Sequence, residues 1–118
     1  MFDPIDWMAV ADRLMASVDE SDLRAAIGRY YYAVFVKSRD SLERAGRLTA
    51  ARSDADHRAV VEALKDARRG AAAANLERLR RLRNEADYDT SIEVTFRDAR
   101  IAQTAAREIV RLCSPDWD

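Results

Sequence analysis

The chain has 118 residues, of which 48% are hydrophobic and 35% are charged, and its formal net charge is −1. This balance fits one globular domain, and it excludes a disordered chain, which would lack the apolar residues for a core. A membrane-spanning protein is excluded as well, because no apolar run approaches the roughly 20 residues that cross a bilayer.

One cysteine and one histidine, Cys113 and His57, limit the chemistry that the chain can support. A lone cysteine forms no intrachain disulfide, so we expect a reducing, cytoplasmic location. With so few nitrogen and sulfur ligands, and no carboxylates at ligand spacing, we expect no metal site, no cofactor and no metal-dependent activity. The N-terminus lacks the basic and long apolar segments of a signal peptide, and we expect none.

The first predicted helix covers residues 4–18. Asp3 is its predicted N-cap, and Pro4 takes the first helical position, where a missing N–H costs nothing. Its apolar residues are predicted to form one buried face: Ile5, Met8, Val10, Leu14, Met15 and Val18.

The second predicted helix covers residues 22–45, with Ser21 as its cap and Gly46 as its end. Its buried stripe follows a spacing of three or four residues, and two further aromatic residues widen it: Leu23, Ile27, Tyr31, Val34, Ser38 and Leu42, with Tyr30 and Phe35. Successive side chains of a helix point about 100° apart, so the three tyrosines 30–32 cannot all face one way. One or two should enter the core, and we favour packing over a platform for stacked bases.

A third region contains two predicted helices, 54–68 with Ser53 as cap and 71–87, with Gly70 as the break between them. The last predicted helix begins at the cap Thr90, with Glu93 at the spacing of a capping box. It runs to about residue 113 with one buried face: Ile92, Phe96, Ala99, Gln103, Ala106, Val110 and Cys113.

These elements predict an all-α fold, a four- to five-helix up-and-down bundle formed by one domain over residues 1–118. The predicted contact faces are rich in alanine, which buries little area per residue. Because such a core is thin, we expect a homodimer that covers an apolar stripe of the second or the last helix.

Charge is distributed unevenly along the chain. Residues 1–22 carry six acidic side chains and one arginine, whereas residues 68–83 carry six arginines and one glutamate. The two stretches could pack together or solvate helix faces, or the arginines could form an anion-binding patch. We favour the first interpretation, because charge runs on helices are usually solvated.

The segment RLRNEADYD, residues 81–89, carries the densest polar chemistry. On a helix Arg83 and Asp87 are four residues apart and can pair, as can Asn84 and Tyr88, and Arg80 lies one turn before Arg83. One interpretation is structural: an Arg83–Asp87 ion pair, with Tyr88 closing the helix end against the bundle. The other is a polar cluster directed into a cleft across a dimer axis.

Three segments in this order, SDLRAAIGRYYYAVF, DHRAVVEAL and LRRLRNEADYD, resemble the HEPN domain superfamily over residues 5–113. The resemblance implies a four- or five-helix bundle that dimerises. Many HEPN domains are metal-independent endoribonucleases of toxin–antitoxin, CRISPR and other defence systems. Others bind RNA or nucleotides without catalysis, often beside a minimal nucleotidyltransferase.

The HEPN ribonucleases use an arginine, commonly followed by a polar residue, and a histidine a turn or more later. Arg83 and Asn84 match the first two positions, but Tyr88, preceded by Asp87, stands where the histidine is expected. An ordinary tyrosine, with a pKa near 10, is a poor base at neutral pH. His57 is too distant along the chain to be that histidine, and we interpret it as a packing or surface residue.

Two hypotheses follow. The first is a dimeric, non-catalytic HEPN-like module that binds RNA, a nucleotide or a protein partner, such as a nucleotidyltransferase or an antitoxin. Its ligand-binding residues would be Arg80 and Arg83. The alternative is a metal-independent endoribonuclease with Arg83, Asn84 and either Tyr88 or Asp87 as catalytic residues.

Overall fold

The computed structural model describes residues 1–117, and every regular element in this range is helical. Five α-helices and two short 3₁₀ turns follow one another: the turn Pro4–Asp6, α1 (Trp7–Met15), α2 (Glu20–Arg44), α3 (Ala55–Asp66), α4 (Gly70–Tyr88), α5 (Phe96–Cys113) and the turn Ser114–Asp116. The predicted all-α fold is confirmed. No helix of residues 1–117 combines the length and apolar character that a membrane crossing requires.

Helix α2 is the centre of the fold, and its 25 residues contact each of the other four helices. All six residues of its predicted stripe are buried, as are Tyr30 and Phe35. Of the three consecutive tyrosines, Tyr30 and Tyr31 are buried and Tyr32 is partly buried. The expected division of these side chains between core and surface is confirmed. The buried apolar side chains of the five helices form one cluster.

Helix α1 ends earlier than predicted, at Met15. After Ala16 the chain turns, and the Ser17 hydroxyl accepts a hydrogen bond from the Asp19 amide at 3.1 Å. Val18 therefore lies outside the helix and is 95% exposed, so its predicted burial is wrong. Helix α2 begins at Glu20, and the predicted cap Ser21 lies inside its first turn, which is also a correction.

The ends around α3 agree better with the sequence. Gly46 ends α2 with φ +72°, and the Arg47 amide donates to the Leu42 carbonyl at 2.9 Å, which closes the helix end. The N-cap of α3 is Asp54 rather than the predicted Ser53, whose hydroxyl accepts from the Ala55 amide at 3.3 Å just before the helix. The break before α4 lies at Arg68, with φ +62°, and Gly70 is the first residue of α4.

Helix α5 begins at Phe96 rather than near residue 90, so the predicted cap Thr90 is wrong. The capping box consists of Thr95 and Asp98: the Thr95 hydroxyl accepts from the Asp98 amide, and the Asp98 carboxylate accepts from the Thr95 amide at 2.9 Å. Ile92 and Phe96, predicted to be buried, are 37% and 52% exposed.

Arg24 of α2 explains why the chain between α4 and α5 is not helical. Its guanidinium donates to four backbone carbonyls at the end of α4 and in the following loop, those of Glu85 (3.4 Å), Ala86 (2.9 Å), Asp89 (3.0 Å) and Ile92 (2.7 Å). Glu20 holds the Arg24 Nε at 2.8 Å and also accepts from the Val94 amide at 3.2 Å. Residues 89–95 are therefore fastened to α2 in an irregular conformation.

Candidate functional site

The last two turns of α4 contain the segment RNEADY, and Arg83 is the centre of its polar contacts. The Arg83 Nε lies 2.9 Å from the Asp87 carboxylate, so the predicted ion pair is confirmed. This contact lacks hydrogen-bond geometry; Arg83 donates instead to the Asn84 side-chain oxygen at 3.2 Å and to the Tyr88 hydroxyl at 3.4 Å. All four predicted site residues thus belong to one cluster on one protomer.

Aromatic rings surround the Arg83 guanidinium. Its carbon lies 5.2 Å from the ring centre of Tyr32, 5.5 Å from that of Tyr88 and 6.0 Å from that of Tyr31. Burial lowers the pKa of Arg83, but these tyrosines and Asp87 raise it more, so its pKa lies above the usual value. The group is a permanent cation held between ring faces.

The Asp87 end of the cluster packs against α2. A Cβ added at the buried Gly28 would lie 3.9 Å from the Asp87 carboxylate, so this carboxylate rests directly on α2. Tyr88 is 72% exposed, and the interpretation that it closes the helix end against the bundle is wrong. Its ring covers Arg83 on one side, and most of it faces solvent.

A cavity of about 170 Å³ lies between α2, α3 and α4 beside this cluster. Arg80 and Arg83 both line it, as predicted from their spacing, together with Tyr31, Tyr32, Phe35, Ser53, Asp54 and His57. Within residues 1–117, Arg80 makes neither a hydrogen bond nor an ion pair. Its N–H groups are therefore free to meet a ligand.

His57 lies in the same cavity as Arg83, which its distance along the chain did not indicate. It is buried on α3, its Nδ1 lies 2.8 Å from the Tyr31 hydroxyl, and its ring stacks on that of Phe35. Packing was expected for it, but its place in the same cavity as Arg83 was not. One signal was present: His57, Val61 and Leu64 follow helical spacing and share the buried face of α3.

The environment of His57 sets its charge. Burial lowers its pKa to about 4, and the nearby cations Arg80 and Arg58 act in the same direction. Burial likewise raises the pKa of Tyr31 to about 12, although Arg80 opposes the shift. At neutral pH both groups are uncharged, and the positive charge of the cavity comes from its two arginines.

A second cavity, of about 230 Å³, lies on the other side of His57 and Arg80, which line both spaces. Arg58, Arg81, Asn84 and Glu77 complete it, so three arginines face one carboxylate. Asn84 thus connects the segment RNEADY to this second cavity. The two cavities form a basic track along α3 and α4.

The acidic and basic stretches of the sequence do not neutralise each other. Asp3 pairs with Lys37 at 3.2 Å, and Arg69 pairs with Asp116 at 2.8 Å. Among residues 1–117 no ion pair joins positions 1–22 to positions 68–83. Several arginines of α4 therefore keep an uncompensated charge, which favours the anion-binding interpretation.

Two further kinds of site, a reactive cysteine and a metal site, find no support among residues 1–117. Cys113 is buried, as predicted, and burial raises the pKa of its thiol to about 11, so it is not a thiolate at neutral pH. In the described part of the chain, no three side chains of histidine, cysteine, aspartate or glutamate come together as metal ligands would.

Comparisons with known proteins give one relative. The chain is 31% identical over 117 residues to the uncharacterized protein MJ0992 of Methanocaldococcus jannaschii. The match covers 81% of the chain and 66% of the archaeal protein, so the chain spans slightly less than two thirds of that relative's length. No family model matches the chain, and no solved structure matches it.

Proposed function

We propose that the protein is a dimeric HEPN-like module that binds RNA or a nucleotide without cleaving it, as a component of a defence or toxin–antitoxin system. One observation carries the proposal: Arg80 and Arg83 line one cavity beside the rings of Tyr31 and Tyr32. Guanidinium groups bind phosphates bidentately, and the exposed ring of Tyr88 beside Arg83 can stack on a base. A nucleotide offers both a phosphate and a base.

The two arginines have different parts in this proposal. Arg80 has no partner among residues 1–117 and supplies free donors. Arg83 is already paired with Asp87 and lies 5.2 Å from the Tyr32 ring centre, so its side chain is held in place before a ligand arrives. A ligand phosphate would share the donors of Arg83 with Asp87, whereas it would have the donors of Arg80 to itself.

Binding without cleavage follows from the proton chemistry. RNA cleavage by attack of a 2′-hydroxyl needs one group that takes a proton and another that gives one. His57, with a pKa of about 4, carries no proton to donate as an imidazolium at neutral pH. The Asp87 carboxylate lies 2.9 Å from the Arg83 Nε, so it is already engaged with a cation.

Dimerisation is part of the same proposal. Asn84 and Tyr88 are exposed beside Arg83, so a second copy or a protein partner, such as a nucleotidyltransferase or an antitoxin, can reach the cluster. Light scattering at micromolar concentration should give a mass near twice 13.4 kDa. A monomer mass under these conditions would contradict the dimer.

The direct test is ligand binding by the wild-type protein. Fluorescently labelled single-stranded RNA and labelled ATP should bind, and the affinity should fall as salt is added, because phosphate contacts release counterions. Joint replacement Arg80→Ala and Arg83→Ala should abolish this binding. Wild-type protein that binds neither ligand would reject the proposal.

One observation favours a second function, a metal-independent endoribonuclease. His57 brings an imidazole into the cavity of Arg83, although the motif itself has Tyr88 in place of histidine. Asn84 and Tyr88 or Asp87 would complete the catalytic set. Incubation of RNA with the protein and a chelator tests it: cleavage that His57→Gln or Arg83→Ala removes would replace the binding proposal by this one.

A further inference from the structure

Arg29 of α2 is held between two aromatic rings. Its guanidinium carbon lies 5.2 Å from the ring centre of Trp7 in α1 and 5.5 Å from that of Tyr32. Among residues 1–117 it makes no hydrogen bond and no ion pair. Its charge is therefore uncompensated, although the group is only partly exposed.

Arg29 also belongs to a longer arrangement that ends at the candidate site. The Tyr32 ring that covers Arg29 is also the ring 5.2 Å from Arg83. At the other end, the Phe2 ring lies 5.1 Å from the Trp7 ring. We call this arrangement the stacked row: Phe2, Trp7, Arg29, Tyr32, Arg83 and Tyr88. Its two terminal rings are exposed, Phe2 by 56% and Tyr88 by 72%.

Stacking prepares Arg29 for an anion. The contacts with the Trp7 and Tyr32 rings restrict the positions that the Arg29 guanidinium can take. A guanidinium is planar, and its N–H donors form a fork that matches two oxygens of a phosphate. Because the side chain is ordered before the ligand arrives, binding costs less entropy.

We propose that Arg29 is a second phosphate-binding group, which takes a backbone phosphate of single-stranded RNA next to the phosphate at Arg80 and Arg83. This inference rests on the proposed function and extends its site along the stacked row. Arg29 and Arg83 both lie within 5.5 Å of the Tyr32 ring centre, so their guanidinium carbons are at most about 11 Å apart. Phosphates one or two nucleotides apart on one strand fit this separation.

The charges and rings of the row favour single-stranded RNA over other occupants. Of the two arginines in the row, Arg29 has no carboxylate partner among residues 1–117, so a second copy that laid the same surface across Arg29 would oppose like charges, whereas a phosphate would neutralise it. The exposed rings of Phe2 and Tyr88 offer faces to unpaired bases, which a duplex keeps stacked inside.

The test compares Arg29→Gln with Arg100→Gln, which removes an exposed arginine of α5 that has no ion-pair partner in residues 1–117. Labelled oligouridine of about ten nucleotides, within the usual size range of single-strand sites, is titrated at several salt concentrations. Arg29→Gln should weaken binding about tenfold and reduce the salt slope by about one, as loss of one phosphate contact does. Arg29→Lys, which keeps the charge but not the fork, should retain the slope and lose part of the affinity.

The outcomes separate this inference from the function on which it rests. If wild-type protein binds the RNA and Arg29→Gln binds as tightly as Arg100→Gln, Arg29 has no phosphate role and the proposed function stands. If wild-type protein binds no RNA, both fail. If Arg29→Gln turns a dimer into a monomer in light scattering without changing RNA affinity, the row is a self-interface and the inference is overturned.

Trp7 provides a local readout that remains informative if Arg29→Gln is unstable. The chain has two tryptophans, and Trp117 lies elsewhere, beside Lys37. In a Trp117→Phe background Trp7 is the only tryptophan, and with excitation beyond the tyrosine absorption band its emission should change at the RNA concentration that fills the site. RNA that saturates the protein without changing the emission of Trp7 would contradict contact at the row.

Discussion

Two arginines act at the end of α4, and they use their donors differently. Arg24 and Arg83 each have a carboxylate four residues away on their own helix, Glu20 at 2.8 Å and Asp87 at 2.9 Å. Their side chains are equally covered, with 18% and 17% exposed. Arg24 directs its remaining donors to backbone carbonyls, whereas Arg83 meets only the exposed side chains of Asn84 and Tyr88 and several ring faces.

The difference teaches that burial and ion pairing do not by themselves identify a functional arginine. The last carbonyls of a helix have no partner within the helix, and a cation near them is favourable. Arg24 supplies that need and has little capacity left for a ligand. Arg83 has contacts that a phosphate could replace, and its cavity has room for one.

The largest effect should come from Arg24→Ala. The substitution leaves carbonyls of Ala86, Asp89 and Ile92 without their charged donor, and such bonds are worth about 1.5–3 kcal/mol each when partners stay unpaired. Because water can reach part of this loop, we expect the free energy of unfolding to fall by about 3 kcal/mol in urea titrations. Hydrogen exchange in residues 89–95 should become faster.

Arg100→Ala is the matched control for Arg24→Ala, because Arg100 is exposed on α5. It should change the free energy of unfolding by less than about 0.5 kcal/mol. A loss below about 1 kcal/mol in Arg24→Ala would mean that water replaces the guanidinium as a donor to these carbonyls. Arg24 would then not be the structural arginine of the two.

Arg83→Ala should show the opposite pattern. A partly exposed ion pair contributes at most about 1 kcal/mol and the ring contacts add to it, so the free energy of unfolding should fall, but by less than in Arg24→Ala. RNA or nucleotide binding should weaken by about 2 kcal/mol, the range for a charged donor removed from a phosphate, and its salt dependence should diminish. Melting temperature and affinity are measured on the same preparation.

Arg78→Ala provides the control on the same helix, because Arg78 is exposed and lines neither basic cavity. Arg78→Ala should leave both the melting temperature and the ligand affinity near those of the wild type. If Arg83→Ala lowers the melting temperature but binds ligands as before, Arg83 belongs with Arg24 as a structural residue.

A third test uses the pH dependence of His57, inside the cavity of Arg83. Its pKa is about 4 in the folded protein, below the ordinary value of about 6.5, so the unfolded chain takes up the proton first as pH falls. The stability due to neutral His57 is therefore complete above about pH 6.5 and is lost as pH falls toward 4. Between pH 7 and 5 we expect a loss of about 1–2 kcal/mol, from 1.4 kcal/mol per pKa unit.

His57→Gln should remove most of this pH dependence, because His57 is the only histidine of the chain. Urea titrations at pH 7, 6 and 5 compare the two proteins and stop above the range in which most carboxylates titrate. Equal slopes in both would show that the cavity does not keep His57 neutral.

Local sequence patterns predicted the parts of the molecule that local physics decides. The buried stripe of α2 follows from helical periodicity, and the Arg83–Asp87 pair follows from a spacing of four on a helix. The Arg24 contacts could not be predicted in this way, because they join residues more than sixty positions apart. They decide where α4 ends, and therefore where α5 begins.

The cavity shows the same limit for the site. Arg80 and Arg83 were predicted to face one space, because one helix carries both. His57 was set aside because it is distant along the chain, yet α3 places it against Tyr31 at 2.8 Å. Only the packing of α2, α3 and α4 brings these residues together, so a sequence motif confined to one helix does not indicate their proximity.

The smallest predicted effect tests the consequence of the Arg24 contacts at the start of α5. Two threonines precede acidic residues at capping-box spacing, Thr90 before Glu93 and Thr95 before Asp98, and local sequence does not distinguish them. Arg24 holds the Ile92 carbonyl at 2.7 Å, which keeps residues 90–94 out of the helix and leaves Thr95 as the cap. Thr95→Ala should therefore lower the free energy of unfolding by about 1 kcal/mol, the usual loss for a removed cap. Thr90→Ala, at an exposed position, should change it by less than about 0.5 kcal/mol. In an Arg24→Ala background the loop is released, so the helix can extend toward Thr90 and the cost of Thr95→Ala should shrink. Costs of Thr95→Ala that are equal in both backgrounds would mean that Arg24 fastens the loop without choosing the cap.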